Sequence, residues 1–250
     1  MQKISKPLFT LFLILTSVSV MLSQANINRR NIKKVSPSKA NNQRVVSYSE
    51  HSFEIRNGEL WAWGRNEFGY LGDGTTISKL TPVRIGTDNN WVSIATGDQH
   101  TIGLKSDGTI WGWGYNASGQ VGDGTTAQKN SPVQIGTGNS WVFVGTGWYH
   151  SFGIKADGTL WSWGYNLKGT VGDNSSINRT TPVQVGTDNN WVAASGGFWN
   201  SMGLKADGTL WAWGWNERGQ LGDGTQIGKP YPIQVGTDNK WVGMASSRSS

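Results

Sequence analysis

Trp61, Trp111, Trp161 and Trp211 stand 50 residues apart, and the strings around them match. Residues 107–119 read Asp-Gly-Thr-Ile-Trp-Gly-Trp-Gly-Tyr-Asn-Ala-Ser-Gly. Residues 157–169 and 207–219 follow the same pattern, and residues 57–69 carry a worn form of it. A period of this length marks a repeat architecture, in which one unit cannot bury its apolar face alone and must stack on a neighbour.

One unit spans residues 91–140. Residues 91–97 alternate apolar and small side chains, and in residues 101–105 Ile102 and Leu104 alternate with Gly103. Both patterns predict short strands. Ser106-Asp107-Gly108 predicts a hairpin turn, since Asp-Gly accepts the positive φ of tight turns. Residues 109–116 form the third expected strand. A Gly-rich loop over 119–130 leads to the fourth, residues 131–135. Pro132 suits a sheet edge, where a missing N–H costs no ladder bond, and Gln134 between Val133 and Ile135 suits a half-wet outer position. Each unit is expected to be one four-stranded antiparallel sheet, with further units at 45–90, 141–190 and 191–240 and a partial one at 241–250.

The third strand predicts how the sheets associate. Side chains alternate across a strand, so Trp111 and Trp113 project from one face and Ile110, Gly112 and Gly114 from the other. The same division holds for Trp161 and Trp163 against Leu160, Ser162 and Gly164, and for Trp211 and Trp213 against Leu210, Ala212 and Gly214. A tryptophan can bury ~150 to 250 Å², on the order of several kcal/mol at about 25 cal/mol per Å². One repeat's Trp face is therefore expected to pack on the next repeat's small-residue face. Four-stranded sheets stacked in this way predict an all-β β-propeller with about four blades present.

The chain carries 22 Lys and Arg against 16 Asp and Glu, a surplus that would suit nucleic acid if it lay on the repeats. Residues 1–44, however, hold eight of the basic residues and no acid, which leaves 14 basic and 16 acidic residues from Val45 onward. Nucleic acid is not an expected partner. With no cysteine there is no disulfide framework and no thiolate metal site.

The N-terminus has the plan of an export signal: Lys3 and Lys6, an apolar run over residues 8–22, then Ser23-Gln24-Ala25. That run is shorter than the ~18 residues of a membrane span. The expected domains are a signal peptide at 1–25, a flexible basic leader at 26–44 and a repeat domain at 45–250. The expected location is secreted, periplasmic or cell-surface in a bacterium, with no membrane span after cleavage. The leader has six positive charges and almost no apolar side chain, so it cannot order itself by burial but could touch anionic surfaces.

Most polar residues with chemical potential follow the period. His51, His100 and His150 occupy equivalent turns in different units, so nothing converges them on a metal, and they read as imidazoles hydrogen-bonded to neighbouring backbone. The Asp-Gly-Thr strings at 73, 107, 123, 157, 207 and 223 lack the acidic spacing of a calcium loop and read as turns. Asn66, Asn116, Asn166 and Asn216 read as side chains that fix a bend through backbone bonds. No nucleophile set, phosphate loop or aperiodic carboxylate pair stands out, so neither an enzyme nor a cofactor is expected.

At residues 157–169, with Trp191-Val192 and a Gly-x-x-His-Ser turn beside them, the chain resembles the regulator of chromosome condensation repeat family over residues 45–250. The resemblance implies a propeller, usually of seven blades, in proteins that are adaptors far more often than enzymes. On that pattern the chain reads as an open fragment of a larger ring, with closure of a small ring by residues 241–245 as the alternative. The family's exchange factors place acidic and His side chains in the Gly-x-x-His turn. Here the turns read Ser49-Glu50-His51, Asp98-Gln99-His100, Trp148-Tyr149-His150 and Phe198-Trp199-Asn200, with patchy acid and rising aromatic content.

Whatever merely builds a blade recurs in every blade, so function should show where the period breaks. Trp148 and Tyr149 replace Asp98 and Gln99, and Phe198 and Trp199 do so one unit later. Trp215 stands where Arg65, Tyr115 and Tyr165 stand. These aromatics are expected to form an exposed patch that binds a protein partner, with Asp98 and Gln99 as polar neighbours. The alternatives are stacking on a cell-surface glycan and, without function, a cap over the hydrophobic channel.

Overall fold

The computed structural model describes residues 44–48 and 50–245. The expected export signal, the basic leader before Arg44 and residues 246–250 lie outside the described residues. Four sheets follow one another along the chain. The first comprises β1 (Arg44–Tyr48), β2 (His51–Arg56), β3 (Glu59–Gly64) and β4 (Lys79–Arg84). The second comprises β5 (Trp91–Thr96), β6 (His100–Lys105), β7 (Ile110–Gly114) and β8 (Lys129–Gln134). The third comprises β9 (Trp141–Thr146), β10 (His150–Lys155), β11 (Leu160–Gly164) and β12 (Arg179–Gln184). The fourth comprises β13 (Trp191–Gly196), β14 (Asn200–Lys205), β15 (Leu210–Gly214) and β16 (Lys229–Gln234). Each is an antiparallel meander in chain order, as the period predicts.

Local chemistry explains the hairpins. Gly108 holds φ at 83°, and Asp107 Oδ1 accepts bonds from the Thr109 N–H at 2.9 Å and hydroxyl at 2.7 Å. The fourth strand begins two residues before its expected start, because Lys129 pairs with Gly114 across a register shift. Pro132 lies on this outer strand, which is only partly covered.

The sheets form an open arc of propeller blades. The inner strands β1, β5, β9 and β13 lie side by side, and extensive packing joins consecutive sheets. The fourth sheet has no comparable packing on the first. Residues 241–245 form no strand and Trp241 is 42% exposed, so the small-ring closure read as an alternative from sequence is not formed. Trp241 makes one ladder-like bond, N–H to Gly208 O at 3.1 Å, and has no adjacent sheet to pack against.

Between blades the tryptophans behave as joints, with one correction of direction: the Trp face seats on the preceding unit. Trp113 is fully buried with Phe53, Leu60 and Ala62 of the first sheet. Trp163 lies with Ile102, Leu104 and Ile110 of the second, and Trp213 with Phe152, Ile154 and Leu160 of the third. The reason is a polar anchor on the preceding sheet's loop. The indole N–H groups of Trp113, Trp163 and Trp213 donate to Tyr70 O, Gln120 O and Thr170 O at 2.9, 3.0 and 2.8 Å. Only this second tryptophan of each pair is fully buried. Trp111, Trp161 and Trp211 stay half-buried beneath the ammonium groups of Lys105, Lys155 and Lys205, at 3.7, 3.6 and 3.5 Å from the ring centroids, a cation–π contact.

The same carbonyls take a second donor. Thr101, Ser151 and Ser201 donate their hydroxyls to Tyr70 O, Gln120 O and Thr170 O at 3.0, 2.8 and 2.7 Å. Behind two of them stands a histidine of the preceding blade: His100 Nε2 lies 2.8 Å from Ser151 Oγ and His150 Nε2 2.8 Å from Ser201 Oγ. Where the sequence predicts a backbone partner for these imidazoles, Nε2 meets the hydroxyl of the next blade instead.

The asparagines act as read from sequence. Asn116, fully buried, accepts the Val121 N–H at 2.9 Å and donates to Thr125 O and Ala127 O at 3.0 and 3.1 Å. Replacing it by alanine leaves the buried Val121 N–H unpaired, at a cost of about 1 to 3 kcal/mol, and removes the donor to the partly exposed carbonyls of Thr125 and Ala127. Asn116→Ala should therefore lower unfolding free energy by about 2 to 3 kcal/mol in urea titration; a change within measurement error would show the loop holds itself.

Candidate binding face

One end of the arc gathers every turn at which the period breaks. In each sheet the first strand ends, the second begins and the third ends at this edge, as the His100–Gly114 and His150–Gly164 pairings require. Backbone bonds hold the two loops together: Tyr115 N donates to Gln99 O at 2.7 Å, Tyr165 N to Tyr149 O at 2.8 Å, and Trp215 N to Trp199 O at 2.8 Å. Neighbouring blades are stitched as well, since Asp98 N donates to Trp148 O at 3.3 Å and Trp148 N to Gly197 O at 3.1 Å. The turns are therefore fixed relative to one another.

On this frame the expected aromatic residues form one continuous row. Tyr149 stacks on Trp148 at 5.1 Å between centroids, Trp148 meets Phe198 at 3.6 Å, Phe198 meets Trp199 at 4.2 Å, and Trp199 meets Trp215 edge-on at 5.1 Å. The row continues beyond the residues singled out from sequence: Tyr149 contacts Tyr115 at 6.4 Å, and Tyr115 contacts Phe68 at 5.2 Å. It thus runs from the first sheet's loop to the fourth sheet. All these residues are half-buried. Lys168 Nζ lies 5.9 Å from the Trp199 ring. Tyr115 was legible as a member of the Trp215 row; Phe68 has no periodic counterpart in the other blades, and only the fold reveals its place.

Asp98 and Gln99 sit at the first-sheet end of the row, where a polar pocket of about 140 Å³ is lined also by Glu50, His51, Arg65 and Tyr70. Arg65 bridges Glu50 and Glu67, each at 2.5 Å. Its hydrogen bond to Glu67, then that to Glu50, raises its proton affinity, and the Arg65 bond lowers the pKa of Glu67. Burial pushes the Tyr70 phenol up to about 12. The face therefore grades from a charged corner to an aromatic stripe.

The Ser–His pairs invite comparison with a hydrolytic nucleophile and its base, and their geometry opposes it. Ser151 already donates its proton to Gln120 O, so the His100 Nε2 contact must have the imidazole as donor, the reverse of base activation. Ser151, His100, Ser201 and His150 are all 0% exposed, so no substrate reaches them. Burial pushes His100 and His150 down to about 3 and His51 to about 4. Among the described residues Nδ1 of His100 and of His150 makes no hydrogen bond, which is tolerable for a neutral ring and costly for an imidazolium.

These features define the class: an open all-β propeller arc, its blades locked by tryptophan joints, with an aperiodic aromatic row on one face. The chain belongs to the regulator of chromosome condensation (RCC1) repeat family, whose model matches residues 57–104, 107–154, 157–204 and 207–250; a second model of the same repeat matches 91–120, 141–170 and 191–220. Among solved structures it is similar to human WBSCR16, with a TM-score of 0.73 and 23% identity over 85% of this chain and 57% of that one. It is likewise similar to Prp20p from Saccharomyces cerevisiae, studied with its binding to Gsp1p and histones, at a TM-score of 0.70 and 21% identity over 81% of this chain and 52% of that one. At these identities the likeness concerns the fold. The chain spans about half the length of these relatives.

Proposed function

We propose that the protein is an exported, non-enzymatic binding module that holds a partner protein on the row from Tyr115 through Trp148, Tyr149, Phe198 and Trp199 to Trp215, with Asp98 and Gln99 as polar contacts. The observation that carries this reading is the continuity of the row. The aromatics that depart from the period on separate blades become one surface on a rigid frame, and rigid aromatic anchors carry most of the affinity at protein interfaces. From the relatives we carry over protein recognition as a mode of action, not Gsp1p or histones. The export-signal pattern of residues 1–25 supports a location outside the cytoplasm, secreted, periplasmic or on the cell surface.

The test is capture of a partner from cell-envelope extract, run beside a glycan array. Trp148→Ala with Trp199→Ala should weaken capture by about a hundredfold, as expected for two anchors of about 1 to 2 kcal/mol each or more, and leave the thermal midpoint nearly unchanged. Glycan binding with no protein captured would replace the protein reading by the sugar one. A large fall in thermal midpoint with unchanged binding would make these rings a cap of the channel.

A further inference from the structure

The polar pocket at the first-sheet end of the aromatic row is built from the same turn positions as the row itself. Glu50 and Gln99 stand where the third and fourth blades carry Tyr149 and Trp199, and Asp98 stands where they carry Trp148 and Phe198. Arg65 replaces Tyr115, Tyr165 and Trp215, and Tyr70 replaces Gln120, Thr170 and Gln220. The walls come from two consecutive blades, and apart from His51 no lining residue recurs at its place in another blade.

His51 recurs, but its partner does not. His100 Nε2 and His150 Nε2 meet the hydroxyls of Ser151 and Ser201 on the next blade. Thr101 takes that place at the first joint, where its hydroxyl bonds Tyr70 O. His51 Nε2 makes no hydrogen bond among the described residues, although the residue is only 3% exposed. The ring lies against Tyr70, at 4.7 Å between centroids, and lines the pocket. Burial lowers its pKa to about 4, so it is neutral at ordinary pH, and with the proton on Nδ1 it offers Nε2 as an acceptor. A buried nitrogen without a partner is costly until something supplies one.

The charges around this nitrogen favour a donor. Arg65, the one guanidinium lining the pocket, is engaged by Glu50 and Glu67, each at 2.5 Å. Asp98 makes no ion pair among the described residues. Three carboxylates thus stand against one cation, so an anion would be repelled and a neutral group would leave Asp98 unmatched. A cation satisfies Asp98 and His51 together. The rings of Phe68 and Tyr70 line the same space, and aromatic faces attract cations.

We propose, on the reading of the aromatic row as a protein-binding surface, that this pocket receives a lysine ammonium or arginine guanidinium of the partner protein. Asp98, Glu50 and His51 Nε2 hold the cation while the row grips apolar surface beside it.

Nuclear magnetic resonance titration of the intact protein with n-butylammonium and n-butylguanidinium, beside butyramide and butyrate, tests this. Both cations should shift the His51 ring resonances saturably, with the neutral and anionic probes weaker by about tenfold or more. Asp98→Asn keeps the shape and removes the charge, and should weaken cation binding and partner capture from envelope extract by about tenfold, the scale of one charge-assisted bond. Equal binding of butyramide, preference for butyrate, or no saturable shift by either cation up to about 100 mM would overturn the proposal. Partner capture unchanged in Asp98→Asn would overturn it too, by placing the partner off the pocket. The double variant Trp148→Ala, Trp199→Ala should bind the cations as wild type does, since neither ring lines the pocket. Cation binding retained while capture ignores both tryptophans would therefore sink the row alone, and absent cation binding with capture still dependent on them would sink the pocket alone.

Discussion

Trp163→Ala is expected to lower the unfolding free energy by about 4 to 5 kcal/mol, at the upper end of tryptophan truncations in cores. Trp163 is fully buried at the central joint, among Ile102, Leu104 and Ile110 of the second sheet and Trp141 and Val144 of the third. Its removal opens a cavity that cannot collapse easily, since rigid strands line both sides. It also takes away one of the two donors to Gln120 O. Native domains hold only ~5 to 15 kcal/mol in total, so this single change consumes a large share. Because contacts run mainly between consecutive blades, as in other repeat arrays, the loss falls on one joint. Thermal unfolding should then split into two transitions, one for each pair of sheets. A single transition shifted by less than a degree or two would mean that the joint is not what holds the arc together.

The second large effect is acid sensitivity. The folded protein keeps His51, His100 and His150 neutral, at about 4, 3 and 3 against an ordinary value of 6.5, chiefly through burial. The unfolded chain protonates them near pH 6.5, so between there and pH 4 it binds more protons than the folded one. Stability is complete above pH 6.5 and falls as pH drops below it. With three such groups the slope approaches about 4 kcal/mol per pH unit, from roughly 1.4 per group. The aspartates add their loss lower down: Asp157 and Asp207, lowered mainly by the hydroxyls of Thr159 and Thr209, lose their contribution as pH falls from the ordinary carboxylate range through their depressed values. Urea titrations at pH 7 and 5 should show the difference. His150→Asn, which installs the residue found at the equivalent Asn200, should reduce the slope by about one third; an unchanged slope would remove His150 from the account.

How far the sequence carries depends on what repeats. The strands, the Asp107 and Asp157 turns and the Asn116 bend were legible because local chemistry at each position suffices to form them, and the period confirms each reading several times over. The direction of the Trp joint was not. Alternation places Trp113 and Gly112 on opposite faces, but which neighbour the indole meets depends on Tyr70 O, a backbone acceptor invisible in sequence. His100 and Ser151 likewise belong to different units, and only their spacing across a joint makes them partners. The positions that break the period, Trp148, Tyr149, Phe198 and Trp199, lie together on one edge as their equivalent places in the repeat predict, whereas Phe68 joins them only through the curvature of the arc.

Hydroxyl-radical footprinting read residue by residue tests the central claim, that the repeated tryptophans build and the aperiodic ones bind. In the free protein, Trp148, Trp199 and Trp215 should be oxidised while Trp113, Trp163 and Trp213 stay protected, and the complex recovered from envelope extract should protect the first three without altering the others. Unreactive Trp148 and Trp199 in the free protein, with the footprint of the complex falling elsewhere, would contradict it.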